Sequence, residues 1–431
     1  MKYFKILISL LLVCLLFSGC GFKFASSIDD LISPLSPFGD NADIKNALDE
    51  YAKGGYSLKT PNAGKYITSY SFFDLDGDKT DEAVSFYEPN DDLGTINMAV
   101  IKKEGKEWSV IENIKGEGTD IHSIEFSDLT HNGKNELIVC WDVISNSTSH
   151  ELTVYAFNPD NKKKLKKIGT SVSVNNYLAV DLLGDNENQL LMFEFDNGNS
   201  SARAELYSYD GGDRQLLGET KLDSHITGYE TIQTERLDGN IRVYADALGS
   251  DGASMLTELI YWSDNYGTII SPFYSYDTGL TSDTTRTVLL NCLDIDSNGR
   301  IDIPTDYEMS KLPKKVKAVD WRIYKNYALI HTAYSLYAEN ECYTLLIPDE
   351  IIDNVKVNYN DKSGELSVIN KKTDKTVFTV MSVLKASYTE DKYPGFVYVT
   401  EGGGYGFLAK QGNDDELKIS FDDIESYIKP I

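Results

Sequence analysis

Cations are scarce in this sequence, which excludes one large class of partner. Lysine and arginine together number 41 against 67 aspartates and glutamates, so the 431-residue chain carries a formal net charge of −26 at pH 7. Nucleic-acid binding rests on neutralising phosphates with lysine and arginine. We therefore expect no nucleic-acid partner. Cations, basic proteins or neutral ligands fit the charge better.

Cysteine and the motifs of common enzymes are also scarce. The five cysteines form no CxxC or Cys/His spacing, so there is no cysteine-based zinc motif, and the apolar surroundings of Cys140, Cys292 and Cys342 predict buried free thiols. The five histidines are scattered, and neither HExxH nor GxSxG occurs. GGGYG at 402–406 has no Lys-Ser/Thr after it, which favours a bulged hairpin over a phosphate loop. These absences favour a binding role over catalysis.

Long apolar runs are absent except at the N-terminus. Residues 6–17 form an apolar run after a short basic start, and its length predicts an export signal rather than a permanent membrane span. No other stretch approaches the roughly 18 apolar residues of a spanning helix. The ending LFSGC, residues 16–20, resembles a bacterial lipobox, although Phe17 stands where a small aliphatic residue is usual.

The lipobox resemblance implies that residues 1–20 are a lipoprotein signal peptide. It also implies that Cys20 receives a diacylglyceryl group and becomes the mature N-terminus. The alternative is an ordinary cleaved signal in which Cys20 is incidental. We predict an extracytoplasmic lipoprotein, held to the outer face of the cell membrane by its lipid anchor.

A short acidic segment recurs at regular intervals along the chain. DLDGDKTDEAV, from Asp74 to Val84, aligns without a gap with segments that begin at Asp128, Asp181 and Asp294, and a shorter copy begins at Arg236. In chain order we call these segments loops one to five. Their starts are spaced by 54, 53, 55 and 58 residues. Such regularity indicates a repeat architecture.

Each period between the loops is filled by apolar runs with the pattern of β-strands. One run enters the loop, a second leaves it, a third follows some 21–24 residues after the loop start, and a fourth closes the period. Four strands in about 54 residues make one propeller blade. The sequence thus predicts a mainly β protein, with a β-propeller of about five four-stranded blades over residues 60–315.

Other elements flank the repeats. Residues 21–59 are predicted to be a tether followed by a short amphipathic helix over 40–53. SKLPKKVKAVDW, residues 310–321, predicts a link, and later apolar runs predict strands. Ser420, with Asp423 three residues on, marks the start of a last helix. Residues 316–431 are therefore predicted to form a small α+β domain, which resembles a C-terminal module of exported proteins of Gram-positive bacteria.

The recurring loops resemble those of the FG-GAP/VCBS repeats of integrin-α-like β-propellers, over roughly residues 60–310. In that family a DxDxDGxxD-type turn between the first two strands of a blade holds calcium. The resemblance implies a propeller fold and Ca²⁺ as the cofactor. Calcium takes six to eight oxygen ligands, which alternate residues of a tight loop can supply. The alternative is a solvated hairpin turn, for which Asp, Asn and Gly are the ordinary residues.

Loops one and five carry the fullest sets of oxygen ligands. In loop one the expected ligands are four carboxylates and one backbone carbonyl, that of Thr80: Asp74, Asp76, Asp78, Thr80 and Glu82. In loop five the same places hold Asp294, Asp296, Asn298, Arg300 through its carbonyl, and Asp302. Carboxylates in register are costly without a cation, so both loops predict a calcium site.

The other loops have lost ligands. Loop two offers Asp128, Thr130, Asn132, Lys134 through its carbonyl, and Glu136, only two of them acidic. Loop three has Asp181, Asp185 and Gln189, with Leu183 where an oxygen is needed, and loop four keeps only Asp238-Gly239. Loop two thus remains a candidate calcium site, and loop three is expected to lack a tight one.

Two functional hypotheses from different classes follow. The leading one is a non-catalytic binding or scaffold lipoprotein, in which calcium holds the blades together and the surface takes an extracellular protein or glycan. The alternative is a carbohydrate-active or other hydrolytic enzyme with its site on a propeller face. An enzyme needs a deep pocket with converging acids away from the acidic loops, and this requirement separates the two.

Overall fold

The computed structural model describes residues 40–145, 147–158, 164–196 and 198–431. The protein is mainly β, and its strands pair antiparallel in six sheets of four or five strands. The predicted signal peptide, Cys20 and the tether lie outside the described residues. Within those residues, no helix combines the length and the apolar character needed to cross a membrane.

The first sheet receives the N-terminal helix. Helix α1 (Asp40–Tyr51) buries Ile44 and Leu48 against this sheet. The strands of the sheet are β1 (Tyr56–Lys59), β2 (Ser71–Phe73), β3 (Glu82–Pro89), β4 (Asn97–Glu104) and β5 (Glu107–Lys115). Strands β1 and β2 pair with successive halves of β3, so together they supply one edge of the sheet. Loop one joins β2 to β3.

The next three sheets are four-stranded meanders in chain order. The second contains β6 (Asp120–Ser127), β7 (Glu136–Asp142), β8 (His150–Phe157) and β9 (Leu165–Val174). The third contains β10 (Asn176–Val180), β11 (Gln189–Asp196), β12 (Ser201–Ser208) and β13 (Gln215–Lys221). The fourth contains β14 (Ile226–Leu237), β15 (Asn240–Gly249), β16 (Met255–Ser263) and β17 (Thr268–Ile270). Loops two, three and four each join the first two strands of a sheet.

The remaining two sheets hold the C-terminal part. The fifth has the order β18 (Ile303–Asp306), β19 (Val316–Lys325), β20 (Ala328–Ala338), β21 (Tyr343–Ile347) and β27 (Ile428–Pro430). Helix α2 (Asp349–Ile352) leads to the sixth, with β22 (Val355–Asn360), β23 (Glu365–Asn370), β24 (Thr376–Leu384), β25 (Val397–Gly402) and β26 (Tyr405–Gln411). Helix α3 (Phe421–Tyr427) begins with the predicted capping box of Ser420 and Asp423.

The apolar core lies between consecutive sheets. Strand β7 is buried along almost its whole length, and its side chains alternate between two neighbours. Val139 and Trp141 pack towards the first sheet, where the Trp141 ring meets Phe86 at 5.7 Å between centroids. Ile138 and Cys140 pack towards the third sheet. Further clusters join the third sheet to the fourth, the fourth to the fifth and the fifth to the sixth. Strand β7 is therefore apolar on both faces over most of its length.

Two segments differ from the sequence-based prediction. TRTVLLNCL, residues 285–293, forms no named strand and makes only isolated bridges, because its backbone bonds to acidic side chains: the Cys292 N–H donates to the buried Asp246 and the Val288 N–H to the exposed Asp306. The predicted link contains the start of β19, which pairs with β18. Pro313, Lys314 and Lys315 form the turn before Val316, whose N–H donates to the Pro313 carbonyl.

One smaller prediction is confirmed and a second is confirmed for two of its three residues. The GGGYG segment is the turn of the β25–β26 hairpin, with Gly403 and Gly404 at φ of 58° and 85° and a bulge near Tyr398. Cys140 and Cys292 are buried free thiols, whereas Cys342 is half-buried.

Candidate calcium loops and a polar groove

Loop one closes around a lysine that sequence analysis did not identify. The Lys102 Nζ lies 2.5 Å from Asp76 Oδ2, 2.7 Å from Asp78 Oδ2 and 2.7 Å from Glu82 Oε1. The Asp74 carboxylate accepts the N–H groups of Gly77 and Lys79, and Thr80 donates its N–H to Asp78. Asp76, Asp78 and Glu82 are thus brought together as predicted, but an ammonium group already offsets their charge.

Loop five gathers its carboxylates without such a cation. Asp294, Asp296 and Asp302 each place one oxygen within 4.8 Å of the others. The Asp294 carboxylate accepts the N–H groups of Asn298 and Gly299, both at 2.9 Å. Among the described residues no lysine, arginine or histidine forms an ion pair with the three acids. The Arg300 side chain points away to Glu235, with Nε 2.5 Å from Oε1.

Loops one and five differ in how the charges of their carboxylates are balanced. Burial, together with the neighbouring Asp296 and Asp294 charges, raises the pKa of Asp302 to about 6. In loop one, burial also raises the pKa of Glu82, but Lys102 opposes this rise, and the hydrogen bond from Lys102 lowers the pKa of Asp78. A divalent cation would relieve the repulsion in loop five directly. In loop one it would have to displace Lys102.

Loops two and three satisfy their polar groups internally. Both Glu136 oxygens accept hydrogen bonds within loop two, from the N–H groups of Leu129 and Thr130 and from the Thr130 hydroxyl. The Asp128 carboxylate accepts the N–H groups of Asn132 and Gly133, and Asn132 accepts the Lys134 N–H. In loop three, Gln189 stands in the place of Glu136, and Asp181 accepts three backbone N–H groups from Gly184, Asp185 and Asn186. Loop four is a two-residue turn, with Asp238 and Gly239 both at positive φ.

The donor sets therefore fit calcium unequally. Loop five offers the carboxylates of Asp294, Asp296 and Asp302, the side chain of Asn298 and the carbonyl of Arg300. That set has the oxygen chemistry calcium requires. Loop one offers a similar set only after Lys102 moves. Loop two has two carboxylates, both already hydrogen-bonded, and loop three has one close carboxylate and a neutral amide.

A large polar groove lies away from these loops, along the third sheet, beside the end of β9, the residues just before β14 and the segment after β17. Its volume is about 1250 Å³, above the roughly 300–1,000 Å³ of ordinary small-molecule sites. Three aromatic side chains line it, Phe195, Tyr274 and Tyr276, and the two tyrosine rings meet edge to face with centroids 5.1 Å apart. Tyr276 is 70% exposed. Tyrosine is abundant in the sequence, at 28 residues, but no sequence pattern singles out these three aromatic residues.

The charged groups of the groove are nearly balanced, and one ion pair joins two of them. The acids Glu194, Asp196 and Glu219 face Arg203 and Lys221, in contrast to the strongly acidic chain as a whole. Arg203 Nη2 lies 2.7 Å from Glu194 Oε2. The Asn199 side chain and backbone hydrogen bonds hold the pKa of Asp196 below its usual value. Burial raises the pKa of Glu194, and Arg203 opposes the rise.

Comparison with known proteins assigns no family. No protein-family model matches the chain, and no curated protein is significantly similar to it. Among solved structures, the rhamnogalacturonan lyase PL11 of Bacillus licheniformis is 14% identical, with a TM-score of 0.35 over 74% of this chain and 71% of that one. Sqt1 from Chaetomium thermophilum is 10% identical, with a TM-score of 0.34 over 71% and 70%. Similarities at this level assign neither an activity nor a ligand.

Proposed function

We propose that the protein is a lipid-anchored, calcium-stabilised binding module of the bacterial cell surface, whose polar groove takes an extracellular glycan. We further propose that the sheets are blades of a propeller, with the fifth blade formed by β18–β21. The regular spacing of the loops and the apolar clusters between consecutive sheets support this arrangement. Residues of the sixth sheet then form the C-terminal module.

The groove is the observation that carries the glycan proposal. A sugar combines hydroxyl groups with apolar C–H faces, so it suits exposed aromatic rings beside side chains that donate and accept hydrogen bonds. Tyr276 and Tyr274 supply the rings, and Ser173, Asn175 and Arg203 supply polar groups. The near balance of charge favours a neutral ligand over a basic protein. The volume leaves room for an extended molecule.

The state of the acids favours binding over catalysis. Glycoside hydrolysis uses two carboxyl groups that face each other across the bond to be cleaved. Asp196 is committed to its own turn, accepting the N–H groups of Gly198 and Asn199. Glu194, whose raised pKa would suit a general acid, is paired with Arg203. Glu194 is therefore the residue on which the alternative, a carbohydrate-active enzyme, would depend.

Replacement of Tyr276 by alanine is expected to weaken glycan binding about tenfold or more, because an exposed stacking surface is lost. The measurement is retention of the purified protein on an array of bacterial and host glycans, followed by titration of the best ligand. Tyr266→Ala is the matched control, since Tyr266 is 75% exposed but lies outside the groove. If both variants are retained as strongly as the wild type, or if none of the three proteins is retained, the groove loses its support as a glycan site.

Replacement of Cys20 by alanine is expected to release the protein from the membrane fraction. A diacylglyceryl group supplies two acyl chains, which is what stable anchoring requires. Cell fractionation and metabolic labelling with a fatty acid measure the effect, and Cys342→Ala serves as the cysteine control. Undiminished labelling of the Cys20 variant would contradict the anchor.

A further inference from the structure

A second, smaller cavity adjoins the groove and contains a cluster that the proposed function does not use. Its volume is about 450 Å³, and it shares Thr148, Asn175 and Phe195 with the groove lining. Residues at the start of the second, third and fourth sheets line it, at the opposite ends of the first strands from the acidic loops. His122, Asp142 and His150 come together there, and each offers one ligand atom within 4.8 Å of the others.

The local backbone aims these three side chains at one point. His122 is the extra residue of a β-bulge in β6, since the pairing register with β7 shifts between Ile121 and Ser123. Bulges re-aim side chains and are common beside functional sites. Asp142 is the last residue of β7 and His150 is the first residue of β8. Because the two strands are paired, these residues lie close together.

The distances match a single ion with small adjustments. His150 Nδ1 lies 2.6 Å from Asp142 Oδ1, and His122 Nδ1 lies 3.8 Å from the same oxygen. Tetrahedral bonds of about 2.0–2.1 Å to zinc separate the ligand atoms by roughly 3.3 Å. The His150–Asp142 separation would therefore lengthen by about 0.7 Å and the His122–Asp142 separation shorten by about 0.5 Å, which falls within side-chain adjustment. The His122 and His150 rings lie face to face, with centroids 3.7 Å apart, so both rings must turn outward for their nitrogen lone pairs to converge on one ion.

A neighbouring amide orients the carboxylate. The Asn62 Nδ2 donates to Asp142 Oδ2 at 3.2 Å, which leaves Oδ1 directed at the histidines. Two backbone hydrogen bonds hold Asn62 and Ala63 against β6. The Asn62 N–H donates to the Ile121 carbonyl, and the Ala63 N–H donates to the His122 carbonyl. Hydrogen bonds of this kind to a ligating carboxylate are typical of metal sites.

We propose that His122, Asp142 and His150 bind a divalent transition-metal ion of the zinc type. Two imidazole nitrogens and one carboxylate oxygen suit zinc and its neighbours, whereas calcium prefers oxygen alone. Three protein ligands leave a coordination position that faces the cavity. That position is open to water or to an oxygen atom of a molecule in the adjoining groove. The site is independent of the acidic loops and of the glycan proposal.

Zinc binding to the full protein tests the site. The purified chain, kept in excess calcium so that the acidic loops are not competing, is titrated with zinc chloride, and its metal content is measured. Cobalt(II) is the second probe, because its visible d–d spectrum reports tetrahedral nitrogen and oxygen coordination. The wild type is expected to bind one equivalent of zinc and to develop the cobalt spectrum.

The variants separate a metal site from a hydrogen-bonded histidine pair. His122→Ala and His150→Gln are expected to lose zinc binding at least a hundredfold, and Asn62→Ala about 10- to 100-fold. His225→Ala is the matched control, because His225 also contacts a carboxylate, Asp223 at 2.9 Å, but no second histidine. Melting curves without metal identify any variant that fails to fold, and His122, the more exposed histidine, then carries the test. A wild type that takes up no zinc, or variants that match it, would overturn the site.

Discussion

Replacing Arg286 by methionine is expected to lower the free energy of unfolding by about 3–5 kcal/mol. Arg286 and Asp246 form an ion pair in which both side chains are 0% exposed, with Nη2 3.0 Å from Oδ1. Removing the guanidinium leaves a buried carboxylate without its counter-charge. Methionine keeps much of the volume, so the loss reports charge rather than a cavity.

The same pair holds the irregular segment that carries loop five. The Asp246 carboxylate also accepts the Cys292 N–H and the Thr257 hydroxyl, and the Arg286 guanidinium donates to the Leu290 carbonyl. Because residues 285–293 form no named strand, these side-chain bonds replace sheet pairing. Loosening the segment should therefore weaken calcium binding by loop five as well as global stability.

Urea unfolding measures the Arg286 effect. Arg236→Met is the control, since Arg236 is half-exposed and its pair with Asp181 spans 3.4 Å. Asp181 is buried but keeps three backbone N–H donors without Arg236, and the guanidinium stays in water, so the expected loss is at most about 1 kcal/mol. Similar midpoints for the two variants would show that the buried pair does not hold the segment.

Calcium is expected to raise the melting temperature of the wild type and a chelator to lower it. An ion that binds only the folded state stabilises it by RT ln(1 + [L]/Kd), about 2.7 kcal/mol when its concentration is a hundred times Kd. Loop five should supply most of the effect, because its acids have no counter-cation among the described residues and Asp302 is fully buried. Asp296→Ala and Asp302→Asn should blunt the response, whereas Asp185→Ala in loop three should leave it nearly unchanged.

Loss of Lys102 should make the stability of loop one depend more strongly on calcium. Lys102→Met leaves Glu82, which is 0% exposed, without a counter-charge, so stability without calcium should fall. Calcium should then restore more stability to this variant than to the wild type. For the same reason Asp76→Ala is expected to blunt the wild-type response less than Asp296→Ala does. A melting temperature that changes with neither calcium nor chelator would mean that the loops are solvated turns.

Much of the β-structure could be predicted because its signals are local. EAVSFY and ELIVCW are largely apolar runs, and they lie in β3 and β7, which are buried on both faces. The acidic segments recur at a near-constant spacing and fall between the first two strands of a sheet, or, for loop five, just before β18. Ser420 and Asp423 carry a complete capping signal within four residues.

The features that were missed depend on contacts between distant residues. Lys102 reaches loop one because Ile101 pairs with Ala83, and a strand register cannot be determined from one chain segment. The His122 bulge depends on how β6 pairs with β7. The groove joins Phe195 to Tyr276, some eighty residues later, and no local pattern links them. Residues 285–293 have strand propensity, but bonds to Asp246 and Asp306 outweigh it.

The most direct test of the proposed function is the mass spectrum of an array-selected oligosaccharide recovered after prolonged incubation with the wild-type protein. If the protein is a binding module, the oligosaccharide is recovered bound to it and its mass is unchanged. Glu194→Gln, which removes the one groove acid with a raised pKa, should then alter affinity at most. Fragments of lower mass that disappear in the Glu194 variant would contradict the account and establish the enzyme instead.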